Sequence, residues 1–186
     1  IQYQLTDTLI IVAGDCGFGF EKPGYYEQVF NRNSSRLSKS NNWIVMMRGN
    51  HDDPSYFSEE KISHQRFRTI PDYSVIQACR HNILCVGGAV SIDRTYRIEH
   101  DSRHPESSAA SYWEDEKPIF DEESLSNIGR RLKIDTVITH TSPSFCELIS
   151  KAGLSEWAER DSTLLADCDN ERRIMDHIFE YLKANN

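Results

Sequence analysis

An apolar run that ends abruptly in polar residues constrains the fold of this chain more than any other feature. Trp43–Met47 is long enough for one β-strand that is buried on both faces. It is followed directly by Arg48, Gly49, Asn50, His51 and Asp52. Because open α/β sheets bind their ligands at the carboxyl ends of their strands, this cluster predicts a functional site on an α/β sheet.

Two more apolar runs end in the same way. Leu9–Ala13 is followed two residues later by Asp15, and the run over 134–139 is followed by His140. We expect all three runs to be parallel strands of one sheet, because the ends of such strands lie along one edge. Asn50, from the central run, should then meet Asp15 and His140.

The rest of the chain alternates between strand and helix patterns. Apolar residues at helical spacing predict a helix over 24–39, which joins the first two strands by a parallel crossover. The other predicted elements are strands over 73–79 and 82–86, a segment over 89–97 that continues the second of these strands or turns away from it, a surface loop over 100–115, a short helix over 125–132, and helical segments over 144–152 and from about Asn170 onwards.

The residue types at the strand ends indicate a metal site. Asp15, Asn50 and His140 offer a carboxylate, an amide oxygen and an imidazole, which together suit Mn²⁺, Fe²⁺ or Zn²⁺. His51 adds a titratable ring, and Asp52 is a carboxylate that can orient it. Each feature alone has a structural explanation, such as a helix cap for Asn-His-Asp. Their joint occurrence in this order favours the metal site.

Other side chains are candidates for binding a phosphate group. Arg48, Arg94 and Arg97 carry guanidinium groups, which match phosphate oxygens in pairs. For Arg94 and Arg97 the alternative is an exposed position in a solvated loop. Cys16 lies beside Asp15 and is a conceivable nucleophile, but a small residue at a strand end explains it equally well.

The segment 49–52, Gly-Asn-His-Asp, resembles the signature of the calcineurin-like metallophosphoesterases. That family carries five blocks in order: Asp-x-His, Gly-Asp, Gly-Asn-His-Asp/Glu, a lone His and Gly-His-x-His. Residues 14–15, 49–52 and 139–140 match the three middle blocks, so the resemblance extends from about residue 9 to residue 140. It implies an α/β calcineurin-like fold, with a β-sheet core built as a sandwich of mixed sheets and flanked by helices.

The resemblance also implies a role for each matched residue. Asp15 would bridge two divalent metal ions about 3.5–4 Å apart, and Asn50 and His140 would bind only the second ion. A hydroxide held between the metals would attack the phosphorus atom of the substrate. His51 would protonate the leaving oxygen or stabilise the developing charge. Asp52 is a further candidate catalytic residue, and Arg48 and Arg94 are the candidate substrate-binding residues.

The first and last family blocks do not occur in this sequence, and both ends of the chain look cut. We therefore expect residues 1–186 to form a single metallophosphoesterase domain that lacks the Asp-x-His strand and the Gly-His-x-His segment. The complete protein should bind two divalent ions. This chain should bind none or one weakly, and we expect it to be inactive.

Composition limits the partners and the location of the protein. A net charge of −8 and an isoelectric point near 5.4 argue against nucleic acid as a partner. The five cysteines have no CxxC spacing and indicate reduced thiols in the cytoplasm. No apolar run approaches the length of a membrane span. The expected partner is a phosphorylated substrate of unknown identity, and no obligate protein partner is evident.

Three alternatives remain at this point. Arg48-Gly49-Asn50-His51 is also similar to protein serine/threonine phosphatases, but these carry a second Asp where this chain has Phe18 and glycines where it has residues 141–143. That difference favours a small or general phosphoester substrate. A non-catalytic module that retains the fold is the second alternative. A nuclease of the same superfamily is the third and is disfavoured by the acidic charge.

Overall fold

Two mixed β-sheets flanked by helices make up the computed structural model, which describes residues 4–22, 24–105, 110–148 and 153–185. The strands are β1 (Leu9–Ala13), β2 (Trp43–Met47), β3 (Ser63–His64), β4 (Phe67–Thr69), β5 (Ser74–Ala78), β6 (His81–Val86) and β7 (Thr136–Thr139). The helices are α1 (Tyr25–Lys39), α2 (Ser55–Ser58), α3 (Arg94–Arg103), α4 (Glu122–Gly129), α5 (Leu154–Ala158) and α6 (Leu164–Asn185), with a 3₁₀ turn at Glu114–Glu116. None of the helices formed by these residues is both long and apolar enough to cross a membrane.

The first sheet has the strand order β1-β2-β4-β3. β1 and β2 are parallel and pair from Leu9 with Trp43 to Ala13 with Met47. α1 connects them, so the predicted parallel crossover is confirmed. β4 is parallel to β2, and β3 runs antiparallel to β4.

The second sheet has the strand order β5-β6-β7, and it corrects the prediction of a single sheet. β5 and β6 form an antiparallel pair, and β7 lies parallel to β6. His140 therefore follows a strand of a different sheet from the strands that precede Asp15 and Asn50. A sequence pattern identifies buried strands but carries no information on which strand is their hydrogen-bonding neighbour. The two mixed sheets are those that the family resemblance implied.

Each sheet has its own apolar core against its helices. In the core of the first sheet, Tyr26 and Phe30 lie one turn apart on α1 and pack with Phe18, Met46 and Phe67. In the second sheet, strand β6, helices α4 and α6 and the segment just before β7 contribute the core cluster: Leu84, Val86, Leu125, Ile134, Met175 and Ile178. The apolar stripe of α6 thus covers the sheet that carries β7.

Several predicted boundaries need correction. The segment 94–103, expected to be partly strand and partly loop, is the helix α3. α6 begins at Leu164, six residues before the predicted start. Residues 144–148 are not helical, and 149–152 lie outside the described residues, as do 106–109 of the predicted loop. Two ion pairs stabilise the helix at 94–103, because Arg94 pairs with Asp161 and Arg97 pairs with Asp93 one turn earlier.

Candidate metal centre

The loops after β1, β2 and β7 bring the three candidate metal ligands together, although they come from two sheets. His140 Nε2 lies 3.3 Å from Asp15 Oδ1 and 3.1 Å from Asn50 Oδ1. The Asp15 side chain is 48% exposed and that of His140 only 16%. The three donor atoms therefore form one cluster that is open to solvent on the Asp15 side.

Two glycines make this close approach possible. Gly14 has a φ of +100°, and a Cβ at this position would overlap the imidazole of His140. A Cβ on Gly49 would overlap the carboxylate of Asp15. Neither position can hold a larger residue without separating the ligand loops, which explains physically why a glycine precedes the ligand in both blocks.

The orientation of His140 leaves one ring nitrogen for a metal ion. His140 Nδ1 lies 2.6 Å from the carbonyl oxygen of Ala13. A carbonyl oxygen can only accept a hydrogen bond, so Nδ1 carries a hydrogen. In the neutral ring, the Nε2 lone pair then faces the oxygens of Asp15 and Asn50 with no hydrogen between them. Such a cluster of three acceptors needs a cation or a proton at its centre, so the residues fit a metal ion.

The electrostatics of the cluster agree with this. Burial lowers the pKa of His140, but the hydrogen bonds to Asp15 and to the Ala13 carbonyl outweigh burial and raise that pKa above its usual value. Burial raises the pKa of Asp15, but the contacts with His140 and the backbone amide of His51 bring the pKa below its usual value. The raised pKa favours a protonated His140 beside Asp15, and a cation bound there would compete with that proton.

The candidate ligands are few. No group of three or more His, Cys, Asp or Glu side chains that can hold a metal occurs among the described residues. Asp15 and His140 supply two such side chains, and Asn50 completes the cluster with an amide oxygen. The described residues thus supply three candidate ligands for one cation. For a second cation they supply only the exposed carboxylate of Asp15.

Asp52 holds the ligand loops together. It is fully buried, and its carboxylate accepts hydrogen bonds from Gly49 N at 2.8 Å and Phe18 N at 3.1 Å. Burial raises the pKa of Asp52, and these backbone amides oppose that shift. The structure therefore shows Asp52 joining the loop after β1 to the loop after β2, whereas the sequence suggested that it orients His51.

His51 contacts an arginine from α3. Arg97 Nη2 lies 2.9 Å from His51 Nδ1 and also contacts Nε2. The Arg97 side chain is only 6% exposed and is held by Asp93 at 2.9 Å and by the carbonyl oxygen of Ser111 at 3.2 Å. Of the three candidate arginines, Arg97 is therefore the one that lies at the site, where it holds the ring of His51 in place.

The other two arginines are occupied by protein partners. Arg48 is paired with Asp72 at 2.7 Å and donates to the carbonyl oxygens of Asp115, Glu116 and Lys117. Arg94 is paired with Asp161 at 2.5 Å and Asp167 at 2.6 Å. Their side chains are only 7% and 8% exposed. Because these partners already use the guanidinium donors, we do not include either arginine among the substrate-binding residues.

A cavity of about 510 Å³ opens beside the cluster and is lined in part by Asp15 and His51. Phe20, Glu21, Tyr25 and Tyr26 form much of its remaining wall. Cys16 also lines it, but burial raises the pKa of this thiol to about 12, so it stays protonated at neutral pH. The sequence alternative of a nucleophilic Cys16 is therefore disfavoured.

Glu171 on α6 ties together two loops beside the site and could not have been found from the sequence pattern. Its carboxylate accepts hydrogen bonds from Val90 N at 2.5 Å and Thr141 Oγ1 at 3.3 Å. It is 9% exposed, and burial raises its pKa to about 7, although both hydrogen bonds oppose the shift. In the sequence it is one acidic residue among several on a long helix.

A raised carboxyl pKa predicts that the protein loses stability as pH rises. The stabilising contribution of protonated Glu171 is complete below the usual pKa of about 4.5 and is lost as pH rises through about 7. Between pH 5 and pH 8 this should lower the free energy of unfolding by about 2–3 kcal/mol. Urea unfolding at both pH values measures this loss. The loss of unfolding free energy from pH 5 to pH 8 should be smaller in Glu171→Gln than in the wild type by that amount. Equal decreases in the two proteins would contradict this assignment.

The protein is thus of the α/β class, with two mixed sheets and helices packed against them. The loops at the strand ends carry a carboxylate, an amide and an imidazole as a candidate metal site. The sequence model of the calcineurin-like phosphoesterase family matches residues 3–168. Because the match covers most of the 186 residues, the chain belongs to this family of metal-dependent phosphoesterases, and the predicted fold is confirmed. Comparisons with curated proteins and with solved structures give no significant match.

Proposed function

We propose that this protein hydrolyses a small phosphate ester with the help of divalent metal ions. The observation that supports this most strongly is the convergence of three acceptor atoms, from Asp15, Asn50 and His140, with the ring nitrogen 3.1–3.3 Å from the two oxygens. These residues would hold Mn²⁺, Fe²⁺ or Zn²⁺. When bound, such ions supply a nucleophilic hydroxide at neutral pH and neutralise phosphate charge.

The remaining residues act on the substrate or hold those that do. His51 lines the cavity beside Asp15 and would place a proton on the leaving oxygen or stabilise the charge that develops there. Arg97 keeps the His51 ring in position. Asp15, which is half exposed, would be shared with a second metal ion, as the family resemblance implies.

A small substrate is favoured over a phosphoprotein. Protein serine/threonine phosphatases carry a further aspartate at the position of Phe18, and Phe18 is 2% exposed in the aromatic core. The cavity next to Asp15 and His51 has the size of a small organic group. We also propose a cytoplasmic location, which the five free cysteines support. The net charge of −8 continues to disfavour nucleic acid as the substrate.

The ligand count leads to a testable expectation for the 186-residue chain. We expect the chain by itself to bind at most one Mn²⁺, weakly and reversibly, with waters completing the coordination. It should hydrolyse p-nitrophenyl phosphate only when the two further ligand blocks of the family are joined to it. Asn50→Ala and His140→Ala should each abolish saturable binding, because each removes one of three ligands. Electron paramagnetic resonance of free Mn²⁺ during titration measures this directly.

His81→Ala is a suitable control, because His81 is exposed at the first residue of β6, away from the candidate ligands. It should leave Mn²⁺ binding unchanged. Equal binding by the His140→Ala and wild-type chains would exclude the proposed ligand set. Absence of saturable binding even after the two further ligand blocks of the family are joined to the chain would favour the alternative of a non-catalytic module.

A further inference from the structure

A buried serine connects one metal ligand to a buried carboxylate. Asn50 Nδ2 donates to Ser91 Oγ at 2.9 Å, and Ser91 Oγ donates to Glu116 Oε2 at 2.7 Å. Ser91 N also donates to Glu116 Oε1 at 2.6 Å. Ser91 and Glu116 are both 0% exposed, so water does not compete for these hydrogen bonds.

The number of hydrogens in this chain of contacts fixes the orientation of the Asn50 amide. Burial raises the pKa of Glu116, and the hydrogen bonds from Ser91 and the charges of Arg97 and Arg94 oppose that shift. When Glu116 is ionised it can only accept, and it takes the single hydrogen of the Ser91 hydroxyl. Ser91 Oγ can then only accept from Asn50, so the NH₂ group of Asn50 must face Ser91. The carbonyl oxygen of the same amide is thereby directed towards His140 Nε2, 3.1 Å away.

Glu116 is itself held firmly in place. It ends the 3₁₀ turn at Glu114–Glu116, and its carbonyl oxygen accepts a hydrogen bond from Arg48 Nη1 at 2.6 Å. Arg48 directly follows β2, the strand that also leads to Asn50. The buried hydrogen bond from Arg48 therefore ties the backbone of Glu116 to the loop that carries Asn50, and the ion pair with Asp72 holds Arg48 in place.

We propose that Glu116, acting through Ser91, is a positioning residue that sets the amide of Asn50 with its oxygen towards the metal ion. The proposal rests on the proposed function for the identity of the ligand, but the amide orientation itself does not depend on a bound metal. Partners of this kind, one contact away from a ligand, typically change metal affinity by about 10–100-fold when they are replaced.

Glu116→Gln tests the proposal with an almost isosteric change. The introduced side-chain amide would keep one oxygen as the acceptor for Ser91 N, and its NH₂ group would donate to Ser91 Oγ. The hydroxyl hydrogen must then turn to Asn50, which has to present its oxygen to Ser91 and its NH₂ group to the metal position. We expect Mn²⁺ affinity at pH 8 to fall at least about tenfold.

A double variant separates this reversal from general damage. Ser91→Ala combined with Glu116→Gln breaks the connection and lets Asn50 turn its oxygen back to the metal. The double variant should therefore bind Mn²⁺ more tightly than Glu116→Gln alone, although it should be less stable to urea. If Glu116 only supports the fold, the double variant will bind more weakly than the single one, which would overturn the proposal.

Glu171→Gln is the matched charge control, because it also removes a buried carboxylate near His140 but has no hydrogen bond to Ser91 or Asn50 among its contacts with Val90 and Thr141. It should change Mn²⁺ affinity less than about threefold. A loss equal to that of Glu116→Gln would show that charge, not amide orientation, determines affinity, and would also overturn the proposal.

A metal-free measurement keeps this test separate from that of the proposed function. In the ¹⁵N-labelled chain, nuclear Overhauser effects from the Asn50 side-chain amide should reach Ser91 in the wild type and the His140 ring in Glu116→Gln. An unchanged pattern in the variant would exclude the positioning role. If the wild type shows the expected pattern and the variant reverses it but Mn²⁺ does not bind, the proposed function fails and the positioning inference stands.

Discussion

Replacing His51 by alanine is expected to lower turnover by about 10²–10⁴-fold while leaving metal affinity unchanged. The reason is that the two histidines have different proposed roles. His140 is a candidate metal ligand, whereas His51 lines the cavity and is held by Arg97. Turnover has to be measured in a protein that joins this chain to the two further ligand blocks of the family. Mn²⁺ affinity can be measured on the 186-residue chain itself.

The choice of substrate sharpens this test. An alkyl phosphate has a basic leaving oxygen that needs a proton, whereas p-nitrophenolate leaves readily without one. The loss in His51→Ala should therefore be larger for the alkyl ester. His81→Ala, at the exposed start of β6, should not change the hydrolysis of either ester. Wild-type turnover of an alkyl phosphate by His51→Ala would show that this ring has no part in leaving-group protonation.

Arg94→Ala is expected to lower the free energy of unfolding by about 3–5 kcal/mol, because it leaves one carboxylate without its buried cation and a second with only the more exposed Lys117. Those carboxylates belong to Asp161 and Asp167, which hold the segment before α6 and its first turn against α3. The contact with Arg94 keeps the pKa of Asp161 well below its usual value. Urea unfolding measures the loss, and Mn²⁺ affinity under folding conditions should stay the same.

Arg103→Ala provides a matched control on the same helix. Arg103 pairs with Glu99 at 2.9 Å, but the two side chains are 70% and 55% exposed. Exposed pairs of this kind contribute less than about 1 kcal/mol. A small loss of stability in Arg94→Ala, combined with weaker binding of phosphate to the metal-loaded protein, would restore Arg94 as a substrate-binding residue.

Local patterns in the sequence predicted much of this architecture. β1, α1 and β2 follow from short apolar runs and helical spacing, and the parallel crossover follows from their order. The family was identified from residues 14–15, 49–52 and 139–140, and the family match over 3–168 confirms it. The roles of Asp15, Asn50, His51 and His140 stay predictions, although the structure brings these residues together.

What only the tertiary structure decided is which polar groups meet. Strand periodicity is the same in either sheet, so the sequence could not show that β7 pairs with β6 instead of joining β1 and β2. Arg48, Arg94 and Arg97 look equivalent as residue types, yet only Arg97 contacts His51. Ser91 and Glu116 lie far from Asn50 along the chain and carry no motif. The sequence by itself determined the chemical types of the ligands and the glycines that let them approach, because these depend on local order. Burial and hydrogen-bond partners depend on contacts between distant segments of the chain, and only the tertiary structure decides those contacts.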